Sequence, residues 1–159
     1  MATLQTLSFS GELLQRGFWL YVCEIETGEG RRLLYVGRTG DSSSANASSP
    51  LNRMGQHLGF NKHANALRRQ LAQAGIEPES CRRFEMTAYG PLFAEGNSVE
   101  EHRALRDKIA PLEKALCDGL RRAGYTVLNT VSSRKPLDHS LWEQARQVFA
   151  AHFLRLNAE

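Results

Sequence analysis

Two short runs of aromatic and β-branched residues most constrain this chain. They are Phe18-Trp19-Leu20-Tyr21-Val22-Cys23-Glu24-Ile25 and Leu33-Leu34-Tyr35-Val36-Gly37, with Thr27-Gly28-Glu29-Gly30 between them. Strand-forming runs bounded by turn residues predict a β-hairpin, with strands over 18–25 and 32–36. The connection is too short for a crossover, so the two strands must run antiparallel. Side chains alternate along a strand, which puts Tyr21 on one face with Trp19 and Cys23.

The rest of the chain alternates helical and strand patterns around that hairpin. Ser10 caps a short helix through Leu13-Leu14 that Gly17 ends. Ser49-Pro50 reads as an N-cap and first helical position. In the helix that follows, Leu51, Met54 and Leu58 form the apolar stripe. Arg53 and His57 stand four apart and share a different face. A second helix runs through Ala64, Leu67 and Leu71 to Gly75. A strand over 82–88 alternates Phe84, Met86 and Ala88 with Arg83, Glu85 and Thr87. Ser98-Val99-Glu100-Glu101 is a capping box that opens the longest helix. Its stripe is Leu105, Ile109, Leu112, Leu116 and Leu120, and Pro111 inside it predicts a kink or a restart. A short strand over 125–129 follows. An amphipathic C-terminal helix over 137–157 then carries Leu141, Ala145, Val148, His152 and Leu156. The segment 41–49, rich in serine, has almost nothing to bury and is predicted to be a mobile surface loop. The order β-β-α-α-β-α-β-α describes a small α/β (α+β) domain.

At 159 residues the chain is sized for one domain over 1–159 with its own core. The formal charge of +3 is compatible with nucleic acid without requiring it. The kind of cation says more, since sixteen of the twenty are arginine. Several come as doublets, such as Arg68-Arg69 and Arg121-Arg122, and guanidinium is the donor that matches phosphate oxygens. As solvated helix ends the doublets need no partner at all. The three cysteines are scattered and never in a CxxC pair, so free thiols are expected, not a zinc site or a disulfide framework. No secretory pattern or membrane-spanning run is visible, which predicts a cytoplasmic, intracellular protein with no membrane partner.

Several residues can be read either as scaffold or as chemistry. Tyr21 and Tyr35 are ordinary strand aromatics unless a cation or base stands beside them. Bringing a phenol of pKa about 10 down to neutrality takes roughly 4 kcal/mol of phenolate stabilisation. Arg53 and His57 are either an exposed helical pair or a phosphate-binding guanidinium and a proton acceptor. His63 competes for the proton-relay role, and His63 and Arg38 are both candidates for a relay or a nucleic-acid contact. Glu113 is either a paired boundary carboxylate or a hard oxygen ligand for Mg²⁺ or Mn²⁺. With no second carboxylate at metal spacing, a single ion is favoured over two. Asn129 is either a strand terminus or an amide that positions the site. His102, His139 and His152 carry no assigned chemistry. Walker A, GxGxxG and GxSxG patterns are missing from the sequence.

In this order the motifs resemble the GIY-YIG endonuclease family. Trp19-Leu20-Tyr21 stands for the first signature triplet, with Trp-Leu in place of Gly-Ile, and Tyr35-Val36-Gly37 for the second. The helix bearing Arg53 and His57, the segment Pro111-Leu112-Glu113-Lys114-Ala115-Leu116 and the segment Gly124-Tyr125-Thr126-Val127-Leu128-Asn129 resemble the family's remaining motifs. The resemblance spans about residues 17–131. It implies a three-stranded antiparallel sheet flanked by helices and metal-dependent hydrolysis of DNA. It also implies Tyr21 as general base, supported by Tyr35 and His57. Arg53 would stabilise the transition state, Glu113 would hold the metal, and Asn129 would complete the site. A double-strand cut by such a one-site enzyme calls for a homodimer. Two other readings stay open at this point. One is a non-catalytic nucleic-acid-binding module of the same fold. The other is a protein-interaction domain whose terminal helix docks a partner.

Overall fold

In the computed structural model, which describes every residue except Ser43 and Glu159, the hairpin forms and becomes the centre of the sheet. Strand β1 (Phe18–Glu26) pairs antiparallel with β2 (Arg32–Arg38), setting Tyr21 opposite Gly37 and Cys23 opposite Tyr35. On its other side β1 pairs antiparallel with β3 (Arg83–Phe93), giving the order β2-β1-β3. This internal strand is buried along almost its whole length. Its continuous apolar run follows from having both faces covered.

Alternation divides the core in two. Phe18, Leu20 and Val22 of β1, with Leu34 and Val36 of β2, pack against the longest helix and the C-terminal one. Tyr21, Cys23 and Ile25, with Leu33 and Tyr35, face Leu67 and Leu71 of a short helix. The described residues thus form a three-stranded antiparallel sheet flanked by helices on both faces. The helices are α1 (Pro50–His57), α2 (Ala66–Gln73), α3 (Val99–Arg122) and α4 (His139–Ala150).

Four expectations change. β3 continues five residues past 88, through Gly90-Pro91. Proline lacks a ladder donor, but β3 is an outer strand, where that donor can be spared. Residues 125–129 do not make a strand. They form one parallel bridge, Leu34 to Val127, through bonds of 2.8 Å from Leu34 N–H to Thr126 O and from Leu128 N–H to Leu34 O. Helix α3 does not restart at Pro111. The proline removes one helical bond at about 3 kcal/mol, while Ile109, Leu112, Leu116 and Leu120 around it are fully buried. At about 1.5–3 kcal/mol each, their burial outweighs that loss. Finally, α4 stops at Ala150 and the chain ends in a 3₁₀ turn, Leu154–Ala158. Its buried face is Ala145, Phe149, Phe153 and Leu156, while Val148 is exposed. No helix among the described residues is long and apolar enough to cross a membrane.

Candidate active site

The Tyr21 ring lies flat across the strand position opposite it, which is Gly37. A Cβ there would overlap the Tyr21 ring. Only glycine therefore lets the phenol cross β2 to reach α1. There the hydroxyl shares a 2.5 Å hydrogen bond with Nε2 of His57. The His57 ring also meets Tyr35 edge-on, 5.0 Å between centroids. Helix α1 is set for this by Ser49, whose Oγ accepts the Asn52 N–H, and by Pro50 at the first helical position. Its inward face includes His57, only 4% exposed, rather than the leucines alone.

Burial dominates the electrostatics. It pushes Tyr21 well above the ordinary tyrosine value and Tyr35 up to about 12. The same burial, aided by the Arg53 charge, lowers His57 to about 4. At neutral pH the cluster is thus two neutral phenols around a neutral imidazole. The Arg53 guanidinium acts electrostatically on Tyr21, Tyr35, His57 and Glu113 alike. Its Nη1 donates to Gln56 Oε1 at 3.2 Å, Nη2 is paired with Asp41, and its buried Nε has no partner.

Glu113 comes to the same strand end from the opposite face. Its Oε2 accepts from Arg38 Nε at 2.8 Å, and Arg38 Nη1 donates to Arg106 O. Burial raises Glu113 to about 7 despite the neighbouring Arg38. The carboxylate adds to the raised pKa of both phenols. Glu113 offers one hard oxygen donor of the kind Mg²⁺ takes, while Asp41, whose charge also raises the Glu113 pKa, is itself paired with Arg53. Arg38, a candidate DNA contact, is here the cation paired with Glu113. His63, by contrast, lies on the exposed link between α1 and α2.

Asn129 proves to be a clamp on β2. Its Oδ1 accepts from Val36 N–H at 3.0 Å and its Nδ2 donates to Val36 O at 2.7 Å. The amide thus completes the strand edge where the 125–129 backbone leaves off. Trp19, where the β1–β3 pairing shifts register, is tied on its other side to Thr39. Trp19 N–H donates to Thr39 Oγ1 at 2.8 Å, and Thr39 N–H returns to Trp19 O at 3.0 Å. The indole lies over Gly90 of β3, where a Cβ would come within 2.9 Å of it.

No family model, curated protein or solved structure matches this chain.

Sequence reasoning missed two groups. Asp41 belongs to the serine-rich segment, of which Ser43 lies outside the described residues. Two of its other residues are tied to distant parts of the fold. Ala47 is fully buried, its N–H donates to Glu95, its carbonyl accepts from Arg16, and Ser42 O bonds His102. These anchors are distant in sequence, so local composition could not reveal them. The second group is Glu24, Glu85 and His152, whose ligand atoms lie within 4.8 Å of one another. This cluster can coordinate a divalent metal ion. It stands on the α4 face of the sheet, away from Tyr21 and His57, and its imidazole suits Zn²⁺ better than Mg²⁺. Burial raises Glu24, but hydrogen bonds from His152 and Arg32 outweigh it and hold the carboxyl low. A carboxylate inside the apolar β1 run, with Glu85 at the paired position of β3, was the available signal.

Proposed function

We propose that this chain is a divalent-metal-dependent DNA endonuclease of GIY-YIG type, with Tyr21 as general base and Mg²⁺ or Mn²⁺ held by Glu113. The observation that carries the reading is the short Tyr21–His57 hydrogen bond beside a guanidinium shared by four titratable groups. A buried phenol of high pKa cannot wait as phenolate. With Nε2 unprotonated, His57 takes the phenolic proton as Tyr21 takes one from water, so no free phenolate forms and the positive charge gained by His57 is offset by the negative charge growing on the attacked phosphate. Tyr35 keeps the imidazole in place, and Asn129 keeps β2 beneath it. Arg53 exchanges Asp41 for the scissile phosphate and stabilises the charge that grows there. Mg²⁺ or Mn²⁺, which Glu113 would hold, would supply further charge stabilisation in the transition state. One site cuts one strand, so cleavage of both strands uses a second copy.

Incubation with branched, nicked and duplex DNA, with Mg²⁺ or Mn²⁺, tests the reading. Tyr21→Phe is expected to slow cleavage by about 10²–10⁴-fold, and Arg53→Ala by roughly 10²–10³-fold. Glu113→Ala is expected to remove the metal-dependent activity. No cleavage by the wild type, or cleavage indifferent to Glu113→Ala, overturns it. A second reading, a non-catalytic DNA-binding module, draws on the complete burial of Tyr21 and the pairing of Glu113 with Arg38. Salt-sensitive binding without cleavage is its signature.

A further inference from the structure

The link between α1 and α2 leaves Phe60 almost wholly in water, 96% exposed, three residues beyond His57. A phenyl ring in that position contributes nothing to the core, yet its surroundings are organised. Phe60, Lys62 and Arg68 line a cavity of about 380 Å³ with Ile76, Glu77 and Pro78. The Arg68 guanidinium carbon stands 5.9 Å from the Phe60 ring centroid. Arg68 is fixed there by bonds from Nη2 to Leu58 O at 3.1 Å and to Glu79 at 2.8 Å, while its buried Nε has no partner.

The chemistry of this cavity is mixed. Glu79 neutralises Arg68 and Glu77 stands in the lining, so it is not a cage for a phosphate. It combines an aromatic face with donors and acceptors around it, which suits a flat heterocycle bearing polar edges. Lys62 beside it serves the attached backbone phosphate. Three steps of about 3.8 Å place Phe60 within about 11 Å of His57, roughly three base steps of duplex.

We infer that this cavity receives an unstacked nucleobase a few nucleotides from the scissile phosphate, stacked on Phe60. The inference rests on the DNA reading above and narrows its substrate class. A base inside intact duplex must be flipped at a cost, whereas an unpaired base at a flap, branch or mismatch is already available. The preferred substrate is therefore DNA with an unpaired nucleotide beside the cut.

The test uses the full chain in EDTA, so that binding is read without metal-dependent cleavage. Fluorescence anisotropy compares a flapped oligonucleotide, carrying 2-aminopurine in the flap, with a fully matched duplex. Wild type is expected to favour the flap and to change the 2-aminopurine emission. Phe60→Ala is expected to weaken flap binding roughly tenfold and abolish the emission change, with duplex binding altered less than about twofold. Phe60→Trp restores both. Equal loss on the two DNAs, or no loss, overturns the inference. Cleavage is assayed separately with metal. Cleavage with Phe60-independent binding sinks this site alone. Phe60-dependent stacking without cleavage sinks the nuclease reading alone. No binding to either DNA sinks both.

Discussion

His57 and Glu113 are each driven toward neutrality by burial, and their effects on stability have opposite signs. The His57 pKa falls from 6.5 to about 4 on folding. Its stabilising contribution is present above 6.5 and is lost as pH falls through 4. The Glu113 pKa rises from 4.5 to about 7. Its contribution is present below 4.5 and is lost as pH rises through 7. Between about 4.5 and 6.5 the two slopes oppose each other, each at up to about 1.36 kcal/mol per pH unit. In EDTA, wild-type unfolding free energy is therefore expected to be nearly flat across that interval. It should rise with pH in Glu113→Gln and fall with pH in His57→Gln. Urea titrations at three pH values check this; parallel profiles for all three proteins would refute the assignment. The placement of the candidate residues was legible, because Tyr21, Tyr35, Arg53, His57 and Glu113 sit on elements that the pattern could place. The choice of His57 over His63 needed burial, and Asp41 was hidden in a segment whose anchors are far away in sequence.

At the scale of elements, the outer edge of β2 is the vulnerable point of the site. An unpaired strand edge has to be satisfied by something. Here the 125–129 backbone serves Leu34, and the Asn129 amide serves Val36. The sequence showed a short extended segment ending in asparagine, but not that a side chain would replace the next ladder step. Register of this kind depends on pairing across more than ninety residues, which local periodicity does not encode. Asn129→Ala leaves the Val36 N–H and C=O without these partners, at about 1–3 kcal/mol for each unsatisfied group. Asn129→Asp keeps an acceptor for the N–H but turns a buried carboxylate oxygen toward the Val36 carbonyl, so at neutral pH it is expected to destabilise at least as much. Amide exchange at Val36 reads this directly: it should be much faster in both variants. Unchanged protection in Asn129→Ala would mean that the edge is held by other groups.

For the whole molecule, the question is whether α4 belongs to the fold or waits for a partner. The sequence left this open, because an amphipathic stripe looks the same whether it is covered by the chain's own core or by another protein. The structure places Ala145, Phe149, Ala150, Phe153 and Leu156 in the core cluster with β1, β2 and α3, each no more than 1% exposed. Phe149 and Phe153 also stack edge-on with Tyr89 and Tyr125. Burial of the two phenylalanines and Leu156 alone is worth about 5–9 kcal/mol, comparable to the total stability of about 5–15 kcal/mol for a domain. A chain ending at Pro136 is therefore expected to lose cooperative folding rather than merely a binding partner. Phe149→Ala, at about 3–5 kcal/mol, should lower the melting temperature markedly while leaving a folded protein at low temperature. Circular dichroism melts of both proteins decide the matter. A sharp, cooperative transition in the protein truncated after Pro136 would make α4 a docking element and revive the protein-interaction reading. Its loss there, together with a lowered but intact transition in Phe149→Ala, makes α4 the outer wall of the same core that positions β2 and, through it, Tyr21 and Glu113.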